Sequence, residues 1–263
     1  MHPYGYISKM KIISVLTYRL DVLISFVSNA VMMFAMAFLW KSAYGAAETA
    51  AGVSSRQMIT YAVLSVLLSA FFQINVENNI NHKIQEGLIA VELCKPVNLL
   101  MCYLAEDIGN VIGSLLVKAI PSYLFALLLF REVFTPDLTR IILFVVSCIL
   151  SYGILWTLSA ITGLSVFWFI NLGHLGTVKD GIVRILSGSL VPFWFFPSYI
   201  QKVSGWLPFQ YTYQTPLGIY IGQTAIKQAF RDLAVQAVWM LIFSAVLYKL
   251  WEKAKNKVVI QGG

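Results

Sequence analysis

Charged residues are scarce in this chain. Asp, Glu, Lys and Arg make up 12% of its 263 residues, while hydrophobic residues make up 59%. A soluble globular domain is about a quarter charged and nearer half apolar, so the balance excludes an ordinary water-exposed fold and points to a bilayer. Cysteine is sparse too. Cys94, Cys102 and Cys148 form no CxxC pair and no cluster with histidine, which excludes a disulfide framework. His2, His82 and His174 each lack a second ligand at helical spacing, so they read as surface or interface residues rather than metal ligands.

Motifs that carry chemistry are equally missing. No GxxxxGK[ST] stretch occurs, which excludes a P-loop cradle for nucleotide phosphates, and HExxH, GxSxG and DxDxDG are absent. Glu106 and Asp107 are neighbours on a predicted helix and therefore do not face each other. They read as a membrane boundary, not an acid–base pair, and nothing makes a positive case for catalysis. The first residues show no short apolar core followed by a small-residue cleavage site, so no cleaved signal peptide is expected.

What the chain does have is long apolar runs. Spans are predicted at Val22–Trp40, Met58–Ile74, Ile108–Phe130, Ile141–Phe169, Ile182–Phe196 and Leu233–Trp251. The fifth is short for a full crossing, and the fourth is longer than one crossing needs. The loop between the first two, Gly45–Arg56, is mostly small residues; Arg131–Arg140 reads as a turn, and Asn171–Gly181 as a connection. The expectation is an all-α integral membrane protein of six transmembrane helices.

Before the first span, Met10, Ile13, Leu16 and Leu20 recur at spacings of three and four, with Lys9 interrupting the stripe. Residues 1–21 read as an amphipathic interfacial helix on the inner leaflet, or else as an unstructured basic flank. Gly109 and Gly113 form a small-xxx-small pair suited to close helix approach. Lys118 lies near mid-depth, just before Pro121. A charge at that depth is a candidate pathway residue, or a lysine paired inside the bundle.

The net charge of +7 does not suggest nucleic acid, because the basic residues flank apolar runs. They read as topology signals and contacts to anionic membrane lipids. With the N-terminus inside, the inner flanks hold Lys9, Lys11, Arg19, Lys83, Lys95, Lys179, Arg184 and the lysines from Lys249 to Lys257. These outnumber the outer Lys41, Arg56, Arg131, Arg140, Lys202, Lys227 and Arg231. Both termini are therefore expected in the cytoplasm.

Between the second and third spans, residues 78–98 carry charge of both signs: NNINHKIQEGLIAVELCKPVN. Ile80, Ile84, Leu88 and Val91 keep helical spacing, Gly87 permits a sharp turn, and Pro96 ends the pattern. On composition this is a solvated loop or the docking place of a soluble partner. Between the last two spans, residues 197–232 are rich in Pro, Gly, Trp and Tyr, with too many breakers for a crossing. They read as re-entrant or interfacial helices on the outer side, or as an aromatic belt.

Two patterns resemble the permease subunits of ABC-2-type transporters. After the second span that family has I-x-x-G-x-[IL]-x-x-x-L-x-x-P-[VL], met here by Ile84, Gly87, Ile89, Leu93, Pro96 and Val97. After the fifth it has G-x-[LV]-x-P-x-x-F-[FL]-P, then L-P and a late P-x-x-x-x-x-G. Gly188, Leu190, Pro192, Phe195, Phe196, Pro197, Leu207, Pro208, Pro216 and Gly222 match in order. The closest likeness is to the bacterial six-span group, often paired with a second permease and an ATPase.

The resemblance implies a permease subunit in the bacterial cytoplasmic (inner) membrane, working with two cytoplasmic ABC ATPase subunits and a second permease, a heterodimer being favoured. ATP and Mg would sit on the ATPase, with no cofactor on this chain. It implies that residues 78–98 form the coupling helix, with Lys83, Ile84, Glu86, Gly87, Leu88, Val91, Glu92 and Pro96 as contact residues; Ile84, Leu88 and Val91 would be buried in a groove of the ATPase. It makes Pro192, Pro197, Trp206, Pro208 and Pro216 part of an outer re-entrant cap. The aromatic side chains Trp194, Phe195, Trp206, Phe209, Tyr211 and Tyr213 would make that end an aromatic surface. The implied activity is ATP-driven export of an amphipathic or hydrophobic cargo. Rival readings are a channel or scaffold without ATP-driven transport and a membrane-embedded enzyme, which would need acids or histidines converging within the spans.

Overall fold

A computed structural model describes residues 3–130, 136–169 and 173–261. The expected Arg131–Arg140 turn and Asn171–Gly181 connection fall partly outside these residues. Within them the chain is almost wholly helical; the only sheet among the described residues is a two-residue hairpin, β1 (Thr49–Ala50) with β2 (Val53–Ser54).

The N-terminal helix α1 (Pro3–Thr17) breaks at Tyr18 and continues as α2 (Arg19–Tyr44). At 1.5 Å per residue, the 26 residues of α2 reach about 39 Å, more than a ~30 Å hydrocarbon layer. The hairpin then delivers the chain to α3 (Ser55–Phe71). Its start is set by a capping box, in which Ser54 Oγ accepts from the Gln57 amide (3.2 Å) and Gln57 Oε1 from the Ser54 amide (3.0 Å).

Helix α3 is the axis of the fold. Every residue from Met58 to Leu68 is buried, as expected of a helix apolar on all sides. Around it lies a core that includes Met33, Trp40, Leu155, Val183, Tyr213 and Leu217. After 72–75 the chain re-enters helix as α4 (Val76–Gln85), followed by the short α5 (Ile89–Leu93).

Helix α6 (Leu99–Ser114), capped by Asn98, passes through a π turn at Leu115–Ala119 into α7 (Ile120–Leu129). The π turn sits just before Pro121, where a missing backbone donor already disrupts the α-helical ladder. Helix α8 (Leu138–Leu164) ends in a 3-10 turn at Ser165–Phe167, and α12 (Ile226–Gln261) closes the chain. Gln236 on α12 is fully buried and joins three elements. Its amide donates to Tyr211 O (2.6 Å) and Ser151 Oγ (3.0 Å) while its carbonyl accepts from Ser147 Oγ (3.0 Å).

Five helical stretches are long and apolar enough to cross a bilayer: Arg19–Tyr44, Ser55–Gln85, Leu99–Leu128, Leu138–Phe167 and Ile226–Lys257. The first and last leave most of their apolar windows unburied, as lipid- or partner-facing helices do. The expected span at Ile182–Phe196 is not one of them. Helix α9 (Leu175–Leu186) has 12 residues, about 18 Å, and stops at a turn through Ser187–Ser189. Gly188 has φ +79°, a backbone conformation open to glycine at little cost. The carbonyls freed there find partners on other elements: Tyr61 Oη donates to Gly188 O (2.7 Å), Ser65 Oγ to Ser189 O (2.6 Å), and the Gln214 amide to Ser187 O (3.0 Å). This is the condition under which irregular backbone is tolerated at membrane depth.

Beyond the turn come α10 (Ser198–Ser204) and α11 (Gln214–Tyr220), separated by a 3-10 turn at Phe209–Tyr211. Helix α11 packs at the α3 N-terminal end, where Gln57 Nε2 donates to Ile221 O (2.9 Å). The region from 187 to 222 thus folds back on itself, and the chain passes from the α4 end to the α3 N-terminal end in broken pieces rather than as one span-length helix.

The N-terminal helix packs against another element. It runs parallel to α6: the Asn98 amide donates to Tyr4 Oη (3.1 Å) and Ser8 Oγ to Ala105 O (2.6 Å). Gly109 and Gly113 are the reason the two can touch, since a Cβ on Gly109 would lie 2.5 Å from Ser8 O and one on Gly113 2.9 Å from Val15 Cβ. The stripe Met10, Ile13 and Leu16 points away from this contact and is exposed, with no residue of α1 buried. Helix α1 is therefore fastened lengthwise to α6.

Candidate functional site

Residues 78–98 fold into a helix–turn–helix at the α4 end of the molecule. Gly87, with φ +70°, makes the turn between α4 and α5. Glu86 and Gly87 are exposed, as are Leu88 (40%) and Val91 (61%). Ile84 behaves otherwise: it is half-buried against an inner core containing Val76, Ile80, Ile89, Leu100, Trp156 and Trp251. The expectation that Ile84, Leu88 and Val91 share one docking face is therefore corrected, because α4 spends Ile80 and Ile84 on its own protein and leaves Leu88 and Val91 outside.

The polar residues divide in the same way. Glu92 is held by Lys83 at 3.1 Å and by Lys95 at 2.7 Å, so the two arms of the turn are clamped together. The hydrogen bond from Lys95 holds the Glu92 carboxyl below its ordinary range; burial works against this, and Lys83 adds to the lowering. Glu86 pairs with His82 at 3.0 Å on the exposed side, and Pro96 is exposed beyond the second arm. The tip thus presents an apolar pair, Leu88 and Val91, beside an exposed carboxylate, on a turn stiffened from within.

Behind the tip, α4 is fixed to the half-helix α9. Lys179 Nζ lies 2.6 Å from Glu77 Oε2 and 2.8 Å from Ser159 Oγ, with side-chain exposures of 13% for Lys179 and 8% for Glu77. Asp107, expected at a membrane boundary, is instead 1% exposed. It accepts from the Asn75 amide (3.1 Å) and from Trp156 Nε1 (3.0 Å), fixing the bend that leads into α4. Glu106 accepts from Asn79 Nδ2 at 3.3 Å. Sequence spacing shows no sign of these links, since each joins residues at least 20 apart in the chain.

Lys118 is paired within the bundle. Buried in the π turn, it lies 2.8 Å from Asp21 Oδ2 at the start of α2.

The region expected to form an aromatic outer surface is mostly internal. Phe195 stacks on Trp40 at 5.2 Å, Trp194 meets Tyr61 edge-on at 5.2 Å, and Tyr211 and Tyr213 are buried. Pro192 and Pro208 are buried at the starts of 3-10 turns, Pro216 is buried in α11, and Pro197 precedes α10. Trp206 alone of that aromatic set stands well out, 85% exposed, near Tyr199 and Val203.

Two cavities of about 420 Å³ each lie between α3 and α9, one toward α8 and one toward α2. Among the described residues no group of three or more His, Cys, Asp or Glu could hold a metal ion.

A family model described as an ABC-2 family transporter protein matches residues 30–262. Comparison with curated proteins gives no match, and neither does comparison with solved structures.

Proposed function

The chain belongs to the ABC-2 family of transporter proteins, a multi-pass membrane family, and from that premise we propose that it is the permease subunit of an ATP-driven exporter. In this reading it sits in the bacterial inner membrane with both termini in the cytoplasm and works with a second permease. Two cytoplasmic ATPases bind ATP and Mg, and the cargo is amphipathic or hydrophobic.

The observation that carries the reading is the exposed tip formed by Glu86, Gly87, Leu88 and Val91. It fits a coupling element for two reasons. Two adjacent apolar side chains on a short projecting turn suit a groove on a soluble partner. The clamp of Lys83, Glu92 and Lys95, together with the Glu77–Lys179 pair, lets a push on the tip move α4 and α9 as one piece. Helix α9 lines both cavities. Closure of the ATPases on ATP would be felt where cargo passes, and the folded-back region from 187 to 222 would cap the outer end.

The test is to co-purify the chain with each candidate ATPase of its genome and replace Leu88 by Asp and Glu86 by Ala. Both side chains are exposed, so folding is expected to survive. Loss of assembly and of cargo-dependent ATP turnover is the expected result. If L88D and E86A both assemble and turn over ATP as the unaltered chain does, the coupling role is wrong.

A further inference from the structure

The exposed side chains of the long helices differ from one side of the molecule to another. Along α6, the π turn and α7, the exposed residues from 108 to 128 are Ile108, Ile112, Leu116, Ile120, Leu124 and Leu128, one at every fourth position. They form an apolar line about 30 Å long, the depth of a hydrocarbon layer. On α8 the exposed residues from 141 to 164 are likewise all isoleucine or valine. These two sides suit contact with lipid.

The side where α2, α3 and α9 meet is polar. Helix α3, buried from Met58 to Leu68, surfaces at Ser69, and Gln73 is exposed just beyond its end. Ser28 of α2 is exposed across the second cavity from them, and the Asn29 Nδ2 beside it is buried without a partner. Asp180 and Arg184 of α9 are exposed at the rim of the first cavity. The charged side chains lining the two cavities, Glu77, Lys179, Asp180 and Arg184, balance, so this side calls for no counter-ion.

Polar side chains at membrane depth face protein or water, because hydrocarbon offers them no partner. Ser28 and Ser69 both lie within stretches long and apolar enough to cross, out of reach of a soluble subunit docked at the tip. The cover is therefore another membrane-embedded chain. Asp180 and Arg184 say which one. They stand one helical turn apart, about 6 Å along the axis. Asp180 spends Oδ1 on Lys179 (3.0 Å), yet its side chain is 69% exposed. A two-fold axis along the membrane normal sets two copies of α9 side by side at equal depth, and an arginine side chain is long enough to cover the offset. Arg184 of each copy then reaches Asp180 of the other, one contact made twice, as an isologous interface requires.

We propose that a second copy of this chain packs on the α2–α3–α9 side, held by the reciprocal Arg184 and Asp180 pairs and enclosing both cavities. The inference rests on the transporter reading and names its second permease as another copy, where the family resemblance favours a different chain.

The experiment uses the full chain, co-expressed with two different affinity tags and extracted in a neutral maltoside detergent without an ATPase. Capture through one tag should bring down the other, and light scattering should give the mass of two chains. Arg184→Asp and Asp180→Arg should each weaken self-association about tenfold or more, since attraction becomes like-charge repulsion. Chains carrying Arg184→Asp and chains carrying Asp180→Arg should nevertheless pair with one another, because each supplies the charge the other has lost. That rescue also shows that both variants fold. Lys253→Asp, an exposed charge reversal at the far end of α12, should leave pairing unchanged.

A single-chain mass, or charge variants that self-associate as well as the unaltered chain, would overturn the interface. Loss of pairing in both variants without rescue between them would overturn the reciprocal contact. Capture only of a different permease from the same genome would overturn the second copy as the occupant. Assembly with the ATPase is read separately. Failure of pairing with intact ATPase assembly removes this interface alone, whereas failure of that assembly removes the transporter reading.

Discussion

Lys179 Nζ and Glu77 Oε2 stand 2.6 Å apart with both side chains almost fully enclosed, joining the half-helix α9 to the base of α4. Breaking a buried pair by removing one partner leaves the other charge uncompensated, which costs about 3–5 kcal/mol. Lys179→Met and Glu77→Gln are each expected to lower the thermal midpoint of the detergent-solubilised chain markedly. The double variant should recover a large part of the loss, because no lone charge remains. If the double variant loses the sum of the two single effects, the pair is not coupled.

A second prediction concerns the contact between α1 and α6. Gly109→Ala would bring its Cβ to 2.5 Å from Ser8 O and 2.9 Å from Lys11 Cβ, so backbone must move. Overpacking of this kind costs about 1–3 kcal/mol. Gly181→Ala, on α9 with nothing within 4 Å of the new Cβ, should be neutral or slightly stabilising. Thermal unfolding of the two variants side by side checks the contrast.

Gly188 and Gly222 allow a comparison in which backbone strain is matched. Their φ angles are +79° and +82°, so alanine at either costs roughly 1–2 kcal/mol in backbone strain. Only at Gly188 does the new Cβ also meet Gln214 Oε1 at 2.7 Å. That oxygen already accepts from the Phe193 amide at 2.6 Å, so pushing it aside breaks a bond that holds the folded-back segment. Gly188→Ala is expected to be clearly the more destabilising. Equal losses of thermal stability would show that the turn tolerates displacement of Gln214.

The clamp at the coupling tip carries a pH signature. Lys95, with Lys83 assisting, lowers the Glu92 carboxyl, so folding of the turn favours the ionised form. The stabilisation is complete above the ordinary carboxylate value near 4.3 and is lost as pH falls through the depressed folded value. Amide exchange across 83–95, corrected for its intrinsic rate, should hold steady from pH 8 to about 5 and accelerate only below about 4. Above about pH 5, Glu92→Gln should speed exchange by an amount equivalent to about 1 kcal/mol or less, since the lysines are partly exposed, and the difference from the unaltered chain should close at low pH. Acceleration between pH 7 and 5 in the unaltered chain would contradict the assignment.

What was legible in the sequence follows from where each signal resides. The apolar runs of α2, α3, α8 and α12 show themselves because a long apolar run has few soluble alternatives. The turn at Gly87 and the approach at Gly109 and Gly113 are equally local, since a glycine marks its own position. Ile182–Phe196 has the composition of a span and is broken all the same. The groups that satisfy its open carbonyls, on Tyr61, Ser65 and Gln214, are remote from Ile182 in the chain or beyond the run itself. The aromatic residues Trp194, Phe195 and Tyr211 look like an interfacial belt for a related reason: the partners that hold them, Tyr61, Trp40 and the Ser151 hydroxyl, come from α3, α2 and α8. Arg184 reads from the sequence as a topology signal, and only the fold shows that it lines both cavities.

The π turn at Leu115–Ala119 gives the span containing it one place where its length can change without changing its faces. An α-helix advances about 100° per residue, and a π turn absorbs a residue that a regular helix would not hold. Deleting a single residue there would let the ladder close as ordinary α-helix and keep α6 and α7 nearly in step, so that Phe125 stays near Phe26, now at 5.4 Å, and Phe130 near Phe34, now at 5.1 Å. A deletion at the start of α7, where nothing absorbs it, would instead turn everything beyond it by about 100°, like a screw given a quarter turn, and exchange its α2-facing side for another.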